Sequence, residues 1–99
     1  MAIPGYQSWM TPLLARLRDG ADHRISDLYE LLADDLRLSE SDRSERLASG
    51  VQPVYINRIG WARTYLKKAG VIDQSVGGMM RVSDRGRDAS RSGKPIDLD

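Results

Sequence analysis

Residues 54–82 read VYINRIGWARTYLKKAGVIDQSVGGMMRV, and the fold is decided there. At about 100° per residue, Tyr55, Ile59, Ala62, Leu66 and Ala69 fall within an arc of about 80°. That stripe predicts an amphipathic helix over Val54–Ala69 with one buried face. Pro53 suits the position just before the helix or its first residue, where a missing N–H costs nothing. Gly70 suits the C-terminal cap, because glycine takes the left-handed conformation without steric penalty. Beyond it, Val71–Val76 reads as a strand, Gly77-Gly78 as a two-residue hairpin turn and Met79–Val82 as the return strand. The alternation is imperfect. Val76 and Met79 share one face near the tip and Met80 and Val82 the other, which leaves the buried face of the hairpin open.

The flanking segments complete the pattern. Downstream, Ser83 caps a short last helix, Asp84–Arg91, which Gly93 and Pro95 stop. Upstream, Trp9, Leu13, Leu14 and Leu17 recur at helical spacing and predict a first helix from about Gly5 to Arg18, stopped by Asp19-Gly20. Pro12 inside it either begins a new turn or kinks it. Ala21–Ile25 reads as a small edge strand. Ser26 then caps a helix striped by Leu28, Leu31, Leu32 and Leu36, ending near Arg37. Ser39 or Ser41 caps a further helix, anchored by Leu47 and closed by Ser49-Gly50. Its side chains are mostly charged or polar, so it is expected on the surface.

Helix, short strand, helix, small helix, long helix, hairpin, helix is the order of a winged helix-turn-helix, mainly α with a small β-hairpin. Val54–Ala69 is its recognition helix, the element that presents side chains to a DNA major groove. One departure stands out: about a dozen residues, including the small helix, separate the two helices of the unit, where a simple helix-turn-helix uses three or four. Residues 1–92 read as one domain and 93–99 as the start of a linker or tail.

Composition narrows the function. Ninety-nine residues make one domain. There is no cysteine and a lone His23, so thiolate and zinc sites have no ligand set, and neither metal nor cofactor is expected. The start, MAIPGYQSWMTPLL, lacks a basic region and a clean apolar run. No stretch approaches the roughly 20 apolar residues of a membrane span. A cytoplasmic chain with no membrane partner is expected. The net charge of +1 conceals a division. Residues 1–52 carry six Arg against nine Asp and Glu, a net of −3, and residues 53–95 carry nine Lys and Arg against three Asp, a net of +6. A basic half beside an acidic one suits a polyanionic partner.

The outward arc of the long helix holds Asn57, Gly60, Thr64, Lys67 and Lys68, with Arg63 nearby and no acid. Asn can read adenine with both amide groups, and Lys and Arg bind phosphate or guanine. Gly60 costs the helix about 1 kcal/mol relative to Ala, and its bareness lets another backbone or a DNA edge approach. On the hairpin, Arg81 is placed to reach a phosphate, and the Gly77-Gly78 tip suits a minor groove. The expected DNA-binding residues are therefore Asn57, Gly60, Arg63, Thr64, Lys67, Lys68 and Arg81. Arg58, beside Tyr65 on the core side, is expected to pair with a buried carboxylate or carbonyl, and Trp61 to pack. Arg85, Arg87 and Arg91 read as solvated charges. Two readings compete. The helix face is a solvated surface with a tolerated glycine, or Trp61, Val76 and Met79 form an apolar patch for a protein partner or a second copy in a homodimer. An enzyme is the weakest reading: His23 has no placed partner, and Ser83 is a cap rather than a nucleophile.

Two stretches carry a family resemblance: Ile3-Pro4 leading into a helix that ends at Asp19-Gly20, and Asn57-Arg58-Ile59-Gly60-Trp61-Ala62-Arg63-Thr64-Tyr65-Leu66-Lys67-Lys68-Ala69-Gly70 continuing through Gly77-Gly78 to Ser83-Asp84-Arg85-Gly86. From about Ile3 to Asp88 the chain resembles the N-terminal domain of Mrr-type restriction endonucleases, the type IV, modification-dependent class. The resemblance implies a winged-helix module that recognises double-stranded DNA, plain or methylated, for a nuclease domain in cis or in trans. That nuclease domain would be of the PD-(D/E)xK kind, using Mg²⁺ to cut modified DNA. No Asp or Glu stands two positions before a Lys here, so these 99 residues lack the catalytic constellation. An excised domain and a freestanding one fit equally.

Overall fold

In a computed structural model, which describes residues 3–92, the chain folds as α1 (Tyr6–Arg16), β1 (His23–Arg24), α2 (Ile25–Asp35), α3 (Glu40–Ser44), α4 (Val54–Lys68), β2 (Ile72–Gln74), β3 (Met79–Val82) and α5 (Asp84–Ser92). The apolar stripes of α1, α2 and α4 meet in one core. Trp9, Leu13, Leu17, Leu32, Ile59 and Leu66 are fully enclosed there. Each such side chain contributes about 1.5–3 kcal/mol by leaving water. The strands form an antiparallel sheet in the order β1-β3-β2. Ile72, Met80 and Val82 are buried, so the Met80–Val82 side of the hairpin faces the helices and Arg81 points away. A helical core with a small antiparallel sheet, two of whose three strands follow the long helix, is a winged-helix-like arrangement.

Local chemistry sets the ends of the elements. α4 begins after Pro53 and ends in a paired cap. Gly70 takes φ +77°, its N–H bonds the Lys67 carbonyl at 3.0 Å and the Val71 N–H bonds the Leu66 carbonyl at 3.1 Å. α2 ends in the same motif, with Arg37 at φ +57° in the glycine position. α1 runs unbroken through Pro12. The proline withholds a donor from the carbonyl of Ser8, and Ser8 is exposed, so water can satisfy that carbonyl.

Several boundaries differ from expectation. β1 covers only His23–Arg24 of the expected Ala21–Ile25, and Ile25 already opens α2. The cap of α2 is Arg24, not Ser26, because Arg24 pairs with Met79 as the end of β1 and its extended backbone feeds straight into the helix. α3 starts at Ser39 in a capping box with Asp42, but it stops at Ser44 and does not reach Ser49-Gly50. Residues 45–53 instead form a loop closed by the bridge Arg46↔Pro53, and Leu47 is half-buried in it. β2 covers only Ile72–Gln74, and the turn takes three residues, Val76–Gly78, because the Ser75 N–H bonds the Met79 carbonyl at 2.7 Å. Gly77 and Gly78 both have positive φ, as the turn demands. Within the α2 stripe, Leu31 is 41% exposed. Gly93, Pro95 and the rest of segment 93–99, with the side chains of Val76 and Arg91, lie outside what is described.

Candidate nucleic-acid interface

The buried arc of α4 is the one its periodicity predicts: Tyr55, Ile59, Ala62 and Leu66 are buried and Ala69 partly so. The opposite arc is left outside. There two open grooves run along the helix. One, of about 330 Å³, lies between α4 and α2, lined by Tyr29, Gln52, Ile56, Asn57, Gly60, Trp61, Arg63 and Thr64. The other, of about 410 Å³, lies between α4 and the hairpin, lined by Arg63, Thr64, Lys67, Lys68 and Gln74. Arg63 and Thr64 line both, so the two join. No carboxylate lines either. A third hollow, of about 590 Å³, includes Glu30 and Glu40 in its lining and is braced by Arg43, which bonds Glu30 and Asp34 at 2.8 Å each. Its carboxylates make it unsuited to an anion.

Asn57, Gly60, Arg63, Thr64, Lys67 and Lys68 thus come together, and Arg81 does not. Arg81 sits on the outer face of the sheet, across from Asp73, while Gln74, across from Met80, shares the face turned to the helices. Lys67 Nζ donates to Gln74 Oε1 at 2.6 Å and so ties the helix to the hairpin. Thr64 Oγ1 donates to the Gly60 carbonyl at 3.0 Å, which leaves the hydroxyl oxygen as an acceptor. No atom lies within 4 Å of where a Gly60 Cβ would stand. No backbone approach explains this glycine.

The Asn57 amide is not free. Its Nδ2 donates to Gln52 Oε1 at 3.1 Å. Sequence reasoning missed Gln52, because it falls in the short connection between the Ser49-Gly50 stop and Pro53, outside any expected element. Its only signal is an amide side chain five residues before Asn57. On the other flank of α4 the ring of Tyr65 stacks on Tyr6 at 4.6 Å, with Trp61 at 6.3 Å and Lys68 Nζ 5.8 Å from the Tyr65 ring centre. Trp61 is 49% exposed, so it packs by one side only. Arg58, expected to find a buried acceptor, forms no hydrogen bond or ion pair with the described residues. It is only half-buried, and water can serve its guanidinium.

The end of the second familiar stretch, residues 83–86, is architectural. Ser83 Oγ accepts from the Gly86 N–H at 3.0 Å, capping α5, and donates to the Gly70 carbonyl at 2.5 Å. A Cβ on Gly86 would collide with the Val71 carbonyl oxygen. Ser83 and Gly86 therefore clamp α5 onto the junction of α4 and β2.

Among the described residues no group of three or more His, Asp or Glu is placed to hold a metal ion, and no helix is long and apolar enough to cross a membrane. No solved structure matches this one. Over 74 residues the chain is 42% identical to the type IV methyl-directed restriction enzyme EcoKMrr of Escherichia coli (strain K12), an overlap of 72% of this chain and 23% of that relative. The chain thus spans less than a quarter of the length of that curated relative. The model of the Mrr N-terminal domain matches residues 6–92, from the start of α1 to the end of α5. By that match over nearly the whole described fold, the chain belongs to the Mrr N-terminal domain family.

Proposed function

We propose that the domain binds double-stranded DNA with the outer face of α4, as the recognition module of a cytoplasmic restriction system directed at modified DNA. The supporting observation is the joined, carboxylate-free groove along α4, with amides at one end and Arg63, Lys67 and Lys68 at the other. A major groove about 12 Å wide admits a helix, and this face offers it both base-reading amides and phosphate-binding cations. Asn57 and Thr64 then bear on sequence, Gly60 keeps the approach open, and Arg63, Lys67 and Lys68 hold the backbone. Arg81, on the outer face of the hairpin, adds a separate phosphate contact. The relative's description as methyl-directed supports methylated DNA as the target. In this reading cleavage belongs to a nuclease domain, with its Mg²⁺, acting in cis or in trans, and the 99 residues bind without cutting.

The test is titration of methylated and plain duplexes at two salt concentrations. Binding that weakens steeply with salt is expected, since phosphate contacts release counterions. Absence of binding to either duplex at low salt defeats the proposal. The half-exposed Trp61 favours a second reading, a protein-interaction or homodimer surface. Sedimentation separates the two: a tight dimer that hides Val54–Lys68 argues for the second.

A further inference from the structure

We propose that Gln52, which lies outside the recognition helix, determines specificity by forming with Asn57 a composite amide edge that reads adenine in the major groove. The proposal rests on the DNA-binding reading above. The hydrogen bond from Asn57 Nδ2 to Gln52 Oε1, 3.1 Å, engages one end of each amide. Asn57 Oδ1 and Gln52 Nε2 are left over, one acceptor and one donor. Exchanging O and N in both amides reverses the bond and still leaves one donor and one acceptor, so the pattern does not depend on how the amides are oriented. A donor beside an acceptor complements the N7 and N6 amino edge of adenine, whereas the N7 and O6 edge of guanine needs two donors.

The setting supports this use. Gln52 is held on the loop that replaces the expected end of α3. Its carbonyl accepts from the Leu47 N–H at 3.1 Å, and the Val54 N–H bonds the Glu45 carbonyl at 2.8 Å just beyond it. The backbone beneath the side chain is thereby fixed before any DNA arrives, which lowers the ordering cost of a contact. Gln52 and Asn57 both line the groove between α4 and α2, and Gly60 beside them leaves its floor open. A base edge has room to approach the pair.

The experiment is selection of bound sequences by the 99-residue chain from a duplex pool with a randomised central segment. It is repeated for Gln52→Ala, Asn57→Ala, the double variant and Gln52→Glu. The wild type is expected to enrich adenine at one position. Each alanine variant should lose about tenfold of that preference or more. The double variant should lose little beyond either single one, because the two amides act as a unit. Gln52→Glu exchanges the donor for an acceptor and should move the preference toward cytosine, whose exposed group is an amino donor. Thermal unfolding without DNA verifies that each variant is folded. Three results overturn the proposal while leaving DNA binding intact: a wild type that binds the pool without preference, a Gln52→Ala variant that keeps the full adenine preference, or a Gln52→Glu variant that does so. The selection is run on the pool in plain and in methylated form, and a wild type that binds no member of either defeats the DNA-binding reading itself.

Discussion

Gly60 and Gly86 are both glycines in helices, and the structure gives them opposite meanings. Nothing in the fold occupies the space around Gly60. Gly60→Ala should therefore add about 1 kcal/mol of helix stability, raising Tm by about 4–8 °C in a domain of this size. The same methyl group protrudes into the groove and should weaken duplex binding. Melting curves paired with duplex titrations give the answer: a variant that melts higher and binds as tightly as the wild type removes Gly60 from the interface. Gly86 is the reverse. Its Cβ would meet a backbone carbonyl, which cannot swing aside as a side chain does. Gly86→Ala should cost about 1–3 kcal/mol or more through displacement of α5 from β2, with any loss of binding following the loss of fold. The cost of Gly60 was legible from its position in a helix. The need for Gly86 was not, because it depends on the Val71 carbonyl, which only the tertiary fold brings near.

The same divide between local and distant causes runs through the elements. α4 was legible because a 3.6-residue period and a Gly70 cap are written into adjacent residues, and β3 because two glycines precede it. Residues 45–48, Glu-Arg-Leu-Ala, read as a continuation of α3 because they hold no helix breaker before Ser49-Gly50. What ends α3 is distributed: Arg43 reaches the Leu38 carbonyl at 3.0 Å as well as Glu30 and Asp34, and Ser44 Oγ turns back to the carbonyls of Glu40 and Ser41. Gln52 was hidden differently, by lying in an unassigned connection whose backbone anchoring, Leu47 N–H to the Gln52 carbonyl, only the fold supplies. The same region braces α2 against α4, and Tyr55 reports on it. Its hydroxyl donates to Glu30 Oε1 at 3.3 Å. Burial, then the charge of Glu30 and this bond, push the phenol above its ordinary value. The neutral form is the one the fold favours. An unfolded tyrosine ionises near about pH 10, so stability is full below that pH and lost as pH rises through the higher folded value. Denaturant unfolding across the alkaline range should show this fall in the wild type and a flatter course in Tyr55→Phe. Parallel curves would mean that the α2–α4 brace does not control alkaline stability.

At the scale of the molecule, folding turns a division along the chain into a division in space. The acidic first half contributes the Glu30 and Glu40 hollow, and the basic second half contributes the carboxylate-free groove of α4. A net charge of +1 would attract no polyanion over a distance. A face with cations gathered on it can do so, within about one Debye length, about 8–10 Å at physiological salt. Duplex affinity should then fall linearly on logarithmic axes as salt rises, with a slope of about −0.9 for each phosphate neutralised. Removing a cation that touches a phosphate lowers that slope by about one unit. Lys67→Ala and Lys68→Ala should each do this. Arg81→Ala should do less, because Arg81 stands on the outer face of the sheet across from Asp73, which already offsets part of its charge. Slopes measured for the three variants against one duplex decide the orientation of the complex. If Arg81→Ala flattens the slope as much as Lys67→Ala while Lys68→Ala leaves it unchanged, the duplex lies against the outer face of the hairpin. The groove of α4 would then be a flank of the interface rather than its centre.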